Sequence, residues 1–288
     1  MEALFDFEEK PEIEKFDDWV KNNFKQYNYR VALPTYKRYD IFKNKTLKTL
    51  INSGINPELI DVFVADDSEK ELYEKTLTRE TYSKIIVGQK GMKEIRNFIQ
   101  DYYSEGQLIV SFDDDVEKVE RFVDEKTLID FKELNNFFNY AFYVMENYGA
   151  SCWGVYPVSN PYFMEDSIAL GLRFLNGTLY GFSNKSFLKL ELDEKEDFER
   201  SIKAYIHDGK VIRFDFMTYE SKEFTEKGGM QADYKDRNDL AEKSSKYLLE
   251  KYPYLCKINT ARKNRCEIKL VEQRPEFKAD SKKRIKWG

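Results

Sequence analysis

Histidine and cysteine are scarce in this chain of 288 residues, with one of the first and three of the second. Cys152, Cys256 and Cys266 are odd in number and form no CxxC pair. Neither a disulfide framework nor a thiolate zinc site is therefore supplied, and buried, reduced thiols are expected. His207 stands in Ile206-His207-Asp208-Gly209, the pattern of a helix end, and is expected at the surface rather than as a base or metal ligand. Long apolar runs are missing too. None approaches the ~20 residues needed to cross a bilayer, and no apolar signal segment follows the start, so a soluble cytoplasmic protein is expected. No GxGxxG follows the first apolar run and no GKS/T loop occurs, which argues against dinucleotide and P-loop sites. An excess of positive charge is absent as well. Lys and Arg number 47 against 52 Asp and Glu, a net charge of -5, which excludes a uniformly basic nucleic-acid coat.

What is present is unevenly arranged. Met1 to Val20 holds eight acidic residues and two lysines, whereas Lys257 to Gly288 holds eleven Lys or Arg against four acids. Ile13, Phe16, Val20 and Phe24 recur at helical spacing, so residues 1–28 read as an acidic arm with a short docked helix. From Tyr29 the chain alternates strand and helix. Strands are expected at Tyr29 to Leu33, Leu59 to Ala65, Lys84 to Val87 and Leu108 to Phe112, with helices from Ile41 to Asn52, Ser68 to Leu77 and Met92 to Tyr103. That is the pattern of a doubly wound α/β sheet. The spacing then predicts a helix over Leu128 to Asn147, strands at Ser151 to Val158, Ile168 to Phe174, Leu179 to Phe182 and Val211 to Phe216, and a hairpin turn at Asn176-Gly177. Helices at Asp193 to Ile206 and Leu240 to Lys251 and a hairpin over Lys257 to Val271 complete the pattern. With no repeat or linker, the expected organisation is one domain over 29–270, in halves 29–127 and 128–270, followed by a basic tail over 271–288.

The stretch that points to chemistry is Leu108 to Phe112 running straight into Asp113-Asp114-Asp115. Ligands of open α/β sheets bind at the carboxyl ends of the strands, and three adjacent carboxylates repel unless a positive group sits among them. A divalent Mg²⁺ or Mn²⁺ shared with a substrate diphosphate is the economical counter-charge, and a solvated capping turn is the plain alternative. Such a metal acts as a Lewis acid on a leaving diphosphate, which suits glycosyl and phosphoryl transfer alike. Glu196 and Asp197 open a helix, where main-chain N–H groups favour carboxylates. Either they only complement the helix dipole or Asp197 takes the proton from an acceptor hydroxyl.

Taken together, Val31-Ala32-Leu33-Pro34-Thr35-Tyr36-Lys37-Arg38, Val62-Phe63-Val64-Ala65-Asp66-Asp67, Gly88 with Gly91 and Arg96-Asn97-Phe98-Ile99, Ser111-Phe112-Asp113-Asp114-Asp115 and Glu196-Asp197-Phe198-Glu199-Arg200-Ser201 resemble the TET/JBP-associated glycosyltransferases. The resemblance runs from about Tyr29 to the Asn264-Arg265-Cys266-Glu267-Ile268 region. It implies a GT-A-type nucleotide-sugar-binding sheet, Rossmann-like in its N-terminal half, with an elaborated acceptor-side C-terminal half. It further implies a bacteriophage enzyme that moves a sugar, typically from a UDP-sugar, onto a 5-hydroxymethylpyrimidine of DNA, most often 5-hydroxymethylcytosine, with inversion. On this chain the resemblance implies that Pro34, Thr35, Arg38, Asp66, Gly91, Arg96, Asp113 and Asp114 line the nucleotide-sugar pocket. Asp115, with Asp113, would hold the metal, and Asp197 would be the base.

For the acceptor, the candidates are Trp153 and Tyr156 for stacking on a base, a loop at Lys227, Gly228 and Gly229, and the basic residues Lys282, Lys283 and Arg284 for phosphates. No stable protein partner is evident in the sequence. Three other readings stay open: a glycan or protein acceptor, a nucleotidyltransferase, and a non-catalytic nucleic-acid-binding module.

Overall fold

The computed structural model describes residues 13–221, 229, 237–261 and 267–287. In chain order, α1 (Phe16–Asn22) precedes β1 (Tyr29–Pro34). Helices α2 (Tyr39–Phe42) and α3 (Lys48–Asn52) run on through a π turn at Lys43–Leu47. Next come β2 (Ile60–Val64), α4 (Asp67–Thr76), β3 (Lys84–Val87), α5 (Met92–Tyr102) and β4 (Leu108–Phe112). The second half holds β5 (Val116–Asp124), β6 (Thr127–Asp130), α6 (Leu134–Tyr148), β7 (Cys152–Val155), β8 (Ser167–Gly171), β9 (Leu179–Ser183) and α7 (Glu196–Asp208). It closes with β10 (Val211–Phe214), β11 (Met217–Ser221), α8 (Arg237–Lys251), β12 (Cys256–Ile258), β13 (Ile268–Leu270) and β14 (Arg284–Lys286).

Nine of these strands form one sheet in the order β14-β8-β10-β7-β9-β4-β1-β2-β3. Strands β1 to β4 pair in parallel, as their apolar runs and intervening helices require, and only β8 and β9 run against the rest. The expected α/β class, with a Rossmann-like first half and an elaborated second half, is the observed one. One register row crosses the whole sheet: Arg284, Ala169, Arg213, Gly154, Tyr180, Ser111, Ala32, Asp61 and Lys84 stand opposite one another in turn. Residues in such a row share a face.

That face is covered by α5 and α7, through Ile95, Ile99 and Ala204 packed on Ala32, Ile109 and Phe182. The opposite face is covered by α6, whose Phe137, Phe138, Tyr140 and Phe142 are fully buried. α1 docks on the same layer as expected, with Phe16 set edge-on to Phe131, Phe137 and Tyr140. Residues 1–12 of the expected arm lie outside the described residues.

The structure departs from the sequence pattern in four places. Thr127–Asp130 is a strand, not the start of the long helix, because Leu128 pairs opposite Phe122 in the β5–β6 hairpin. Leu128, Phe131 and Leu134 share a helical spacing, but only the last belongs to α6. Asn176-Gly177 is a turn, with the Asn176 side chain accepting from Thr178 N–H at 2.8 Å, yet the strands it joins lie in different parts of the sheet. Val211 to Phe216 divides into β10 and the start of a bend, after which β11 leaves for a second sheet with β5 and β6. Finally, the basic stretch ends in β14, an edge strand on β8. The segment before it lies against Gly171, where a Cβ would sit 2.5 Å from the Asp280 carbonyl and where φ is +92°. Only glycine meets both conditions.

Candidate functional site

The loops after β1, β2 and β4 meet at the carboxyl edge of the first half of the sheet. Asp113, Asp114 and Asp115 form a short turn between β4 and β5, and Thr46 fixes it: its hydroxyl donates to the Asp113 carbonyl at 2.6 Å and accepts from Val116 N–H at 3.0 Å. Asp114 and Asp115 are buried. The Arg38 guanidinium donates to Asp114 at 2.9 Å and lies 3.4 Å from Asp115. Thr35 donates to the other Asp114 oxygen at 2.9 Å while sharing a 2.6 Å hydrogen bond with Tyr73. Asp115 accepts in addition from the Ser221 hydroxyl at 2.9 Å. Burial nevertheless pushes the Asp114 carboxyl up to about 6, against the pull of Arg38.

Arg96 holds the third carboxylate. Fully buried on α5, it donates to Ser111 Oγ at 2.5 Å, to Asp113 at 2.7 Å and to the Gly177 carbonyl at 3.2 Å. The counter-charge that the triplet needs is thus supplied by Arg38 and Arg96, and a metal is not required to explain why three aspartates stand together. No group of three or more His, Cys, Asp or Glu that could hold a metal occurs among the described residues. Asp113 is the most open of the three carboxylates, its side chain 31% exposed.

Gly177 joins this edge to the carboxylate pair at the start of α7. A Cβ there would lie 3.1 Å from Glu196 Oε1 and 3.8 Å from both Arg96 Nη2 and Asp197 Cβ, so the three side chains converge on its hydrogen atoms. Asp197 accepts from Phe198 N–H at 2.8 Å. Burial and the neighbouring Glu196 push the Asp197 carboxyl up to about 8, and burial raises Glu196 as well. Behind them lies Arg200, 2% exposed, stacked 3.7 Å over the Tyr180 ring and 3.9 Å from Glu196. Its terminal nitrogens have no hydrogen-bond partner among the described residues. Lys195, just before the pair, and Lys37, in the β1 loop, are the non-glycine residues with positive φ among those described, at 61° and 53°. Such strain of roughly 1–3 kcal/mol gathers where a loop is held for a task.

The remaining predicted residues are distributed as follows. Pro34 ends β1 opposite Phe63. Asp66 caps α4, accepting from Glu69 N–H at 2.9 Å, and Gly91 caps α5 with φ +120°. Gly229 lies over Arg38, its N–H donating to the Tyr36 carbonyl at 3.0 Å, and a Cβ would sit 2.8 Å from the guanidinium carbon. Lys227 and Gly228 lie outside the described residues.

Trp153 is not an acceptor residue. It is fully buried among Phe137, Phe138, Phe142 and Phe214 and fills the space beside Gly181, where a Cβ would stand 2.3 Å from the indole. Tyr156, half-buried, lies beneath Arg213. Arg284 is ion-paired to Glu165 at 2.5 Å, and Lys282 and Lys283 precede it in the docked segment, far along the sheet from the triplet. His207 is exposed and stacks on Phe187, as its position suggested. Cys152 and Cys256 are buried and free, also as expected, and Cys266 lies outside the described residues.

Sequence reasoning gave no role to Thr46, Tyr73, Gly177, Tyr180 or Ser221. Arg200 had a readable signal in its spacing of four from Glu196, which places both on one helix face. Nothing local marked the others, because their partners come from remote segments.

No protein-family model matches the chain, and no curated protein matches it either. Solved structures with a related chain path include TarS 1–349 from S. aureus in complex with UDP, at 16% identity over 67% of this chain and 59% of that one, TM-score 0.46. Mannosyltransferase PcManGT from Pyrobaculum calidifontis, in complex with GDP-Man and Mn²⁺, shows 12% identity over 83% and 70%, TM-score 0.47. Glucosyl-3-phosphoglycerate synthase from Mycobacterium tuberculosis, with Mn²⁺, UDP-Glc and phosphoglyceric acid, shows 11% identity over 90% of each chain, TM-score 0.46. The chain spans 59% of the length of the TarS fragment.

Proposed function

We propose that this chain is a GT-A-type glycosyltransferase that moves a sugar from a nucleotide sugar, preferably a UDP-sugar, to the hydroxyl of a 5-hydroxymethylpyrimidine in DNA. The observation that carries the reading is the convergence of Asp113, Arg96, Glu196 and Asp197 around Gly177. It puts a strand-end carboxylate turn, suited to a nucleoside diphosphate, beside a carboxylate whose proton affinity suits a general base. The sequence resemblance to the TET/JBP-associated glycosyltransferases supplies the acceptor class.

Within this reading Thr35, Arg38 and Asp66 line the nucleoside end, and Arg96 sets the orientation of Asp113. Mg²⁺ or Mn²⁺ would be held by Asp113 and Asp115 together with donor phosphate oxygens, since magnesium commonly takes one or two carboxylates plus substrate phosphates. Oxygen donors of that kind fit the residues present, and the metal would stabilise charge on the departing diphosphate. Asp197 accepts the proton of the attacking hydroxyl, and direct attack on the sugar carbon inverts its configuration. Arg200, 3.9 Å from Glu196, pulls that carboxyl down against the raising effect of its burial.

Calorimetric titration of UDP and UDP-sugars, with and without Mn²⁺, into the chain and its Asp113→Asn and Asp197→Asn variants tests this division of roles. The expected result is binding lost in the first variant and kept in the second, while only the unaltered chain turns donor over. Equal donor turnover in Asp197→Asn would remove it as the base.

A further inference from the structure

At the opposite end of the register row from the nucleotide half, four cations gather around two carboxylates. Arg213 donates its Nε to Asp215 at 2.6 Å, and Arg284 lies 2.5 Å from Glu165 and 3.4 Å from Asp215. Lys286 lies 3.2 Å from the other Glu165 oxygen. Arg173, from the turn after β8, adds the fourth positive charge, close enough that Arg213 and Arg284 repel its proton. Its Nε is buried without a hydrogen-bond partner among the described residues, and its Nη2 reaches only the Lys283 carbonyl, at a long 3.4 Å. A half-buried guanidinium whose buried Nε is left unbonded, among others of its own sign, is a natural seat for an added anion. Asp215 and Glu165 supply two negative charges against the four positive ones, and Asp215 Oδ2, 3.4 Å from Arg284, has no hydrogen-bond partner among the described residues.

We propose that Arg173, Arg213 and Arg284 form a phosphodiester-binding subsite for the polynucleotide acceptor. Planar guanidinium groups bind phosphate oxygens in pairs, and these three with Lys286 outnumber the Asp215 and Glu165 carboxylates. The surroundings suit a nucleotide chain. Arg213 lies 5.0 Å over the Tyr156 ring, and the β7–β8 connection carries Tyr162 and Phe163, packed edge to face and 70% and 58% exposed. Exposed rings near cationic side chains give sequence-tolerant stacking to unpaired bases. Placement agrees as well. Arg213 and Ser111, the residue gripped by Arg96, share a row with β7 and β9 between their strands, about 14 Å apart at the usual strand spacing. Arg213 therefore lies along the sheet from the residue gripped by Arg96 without overlapping its site, and Arg284 lies two strands farther out. The part of this inference that names the acceptor's role rests on the proposed transferase, whereas phosphodiester binding does not.

The test uses fluorescence anisotropy of a short labelled single-stranded oligonucleotide containing 5-hydroxymethylcytosine, titrated with the full chain over a range of salt concentrations. Arg173→Gln and Arg213→Gln are compared with Arg173→Lys, with circular dichroism to verify the fold and UDP titration as a parallel readout. Each neutral variant is expected to bind about tenfold more weakly, with the salt slope reduced by about 0.7, the share of one single-strand phosphate contact. Arg173→Lys should recover the slope. Inorganic phosphate should displace the oligonucleotide from the unaltered chain and much less from Arg173→Gln, and displacement at equal phosphate from both would assign the oligonucleotide to another surface. Unchanged affinity and slope in both neutral variants, or no oligonucleotide binding by the unaltered chain, overturns the subsite. Oligonucleotide binding that depends on Arg173, in a chain that uses no nucleotide sugar, would keep the subsite and discard the transferase.

Discussion

Burial and the neighbouring Glu196 carboxylate push the Asp197 carboxyl up to about 8. In the proposed role of base, a carboxyl so tuned gives a definite pH dependence. Turnover should rise with pH and level off above about pH 8, as the carboxylate that accepts the hydroxyl proton becomes available. The same shift acts on stability with the opposite sense. A carboxyl whose folded pKa lies above its unfolded value stabilises the fold while it is protonated, and that contribution declines between pH 4 and 8 as the unfolded state gives up its proton first. Asp197→Asn should therefore melt higher than the parent at pH 8, with the difference shrinking towards pH 5, while losing on the order of 10²–10⁴ in transfer rate. A variant that melts lower at pH 8 would show the carboxylate to be a stabilising member of the helix start instead. At this scale the sequence was informative about the carboxylates and silent about what balances them. Asp113 to Asp115 stood out because acidic runs at strand ends are conspicuous, but Arg38 and Arg96 reach them from other elements. The need for a counter-charge was legible, but not that Arg38 and Arg96 supply part of it.

Elements of the first half were readable because β1, β2 and β4 are buried along almost their whole length and each helix has a one-sided stripe, so β3, at the sheet edge, and β4 fall where the apolar runs put them. The reading slipped at Leu128, where a hairpin and a helix share the same local pattern and pairing with Phe122 decides between them. Distant partners also decide the place of α1, a helix of 7 residues too short to persist alone. Its hold comes from Phe16 and Trp19 against α6. Phe16→Ala should cost about 3–5 kcal/mol, lowering the melting temperature by ~2–4 °C for each kcal/mol. A loss below about 1 kcal/mol in a denaturant titration would mean that α1 is detached in solution.

Over the whole molecule the two ends of the described chain are brought together. The Trp287 indole donates to the Ile13 carbonyl at 2.9 Å and its ring lies 6.1 Å from Phe216. Composition marked residues 271–288 as basic, and a basic segment is usually solvated; nothing in it announced that three of its residues pair with β8. Removal of residues 280–288 should thus bare the edge of β8 and lower thermal stability. Truncation without effect on melting or on association in size-exclusion chromatography would return this segment to the status of a tail. The sheet that results is asymmetric in charge: arginine-paired aspartates at the carboxyl edge of the β1–β4 half, and an arginine cluster at the β8–β14 end.

Mass spectrometry of nucleosides from 5-hydroxymethylcytosine DNA, incubated with the chain, Mn²⁺ and pooled nucleotide sugars, tests that arrangement most directly. Parallel reactions use unmodified DNA, EDTA and Asp197→Asn. The account predicts a mass gain equal to one transferred sugar on the modified DNA alone, abolished by EDTA and by the variant. A gain that persists in Asp197→Asn, or no gain on any DNA while donor is consumed with another acceptor, would contradict it.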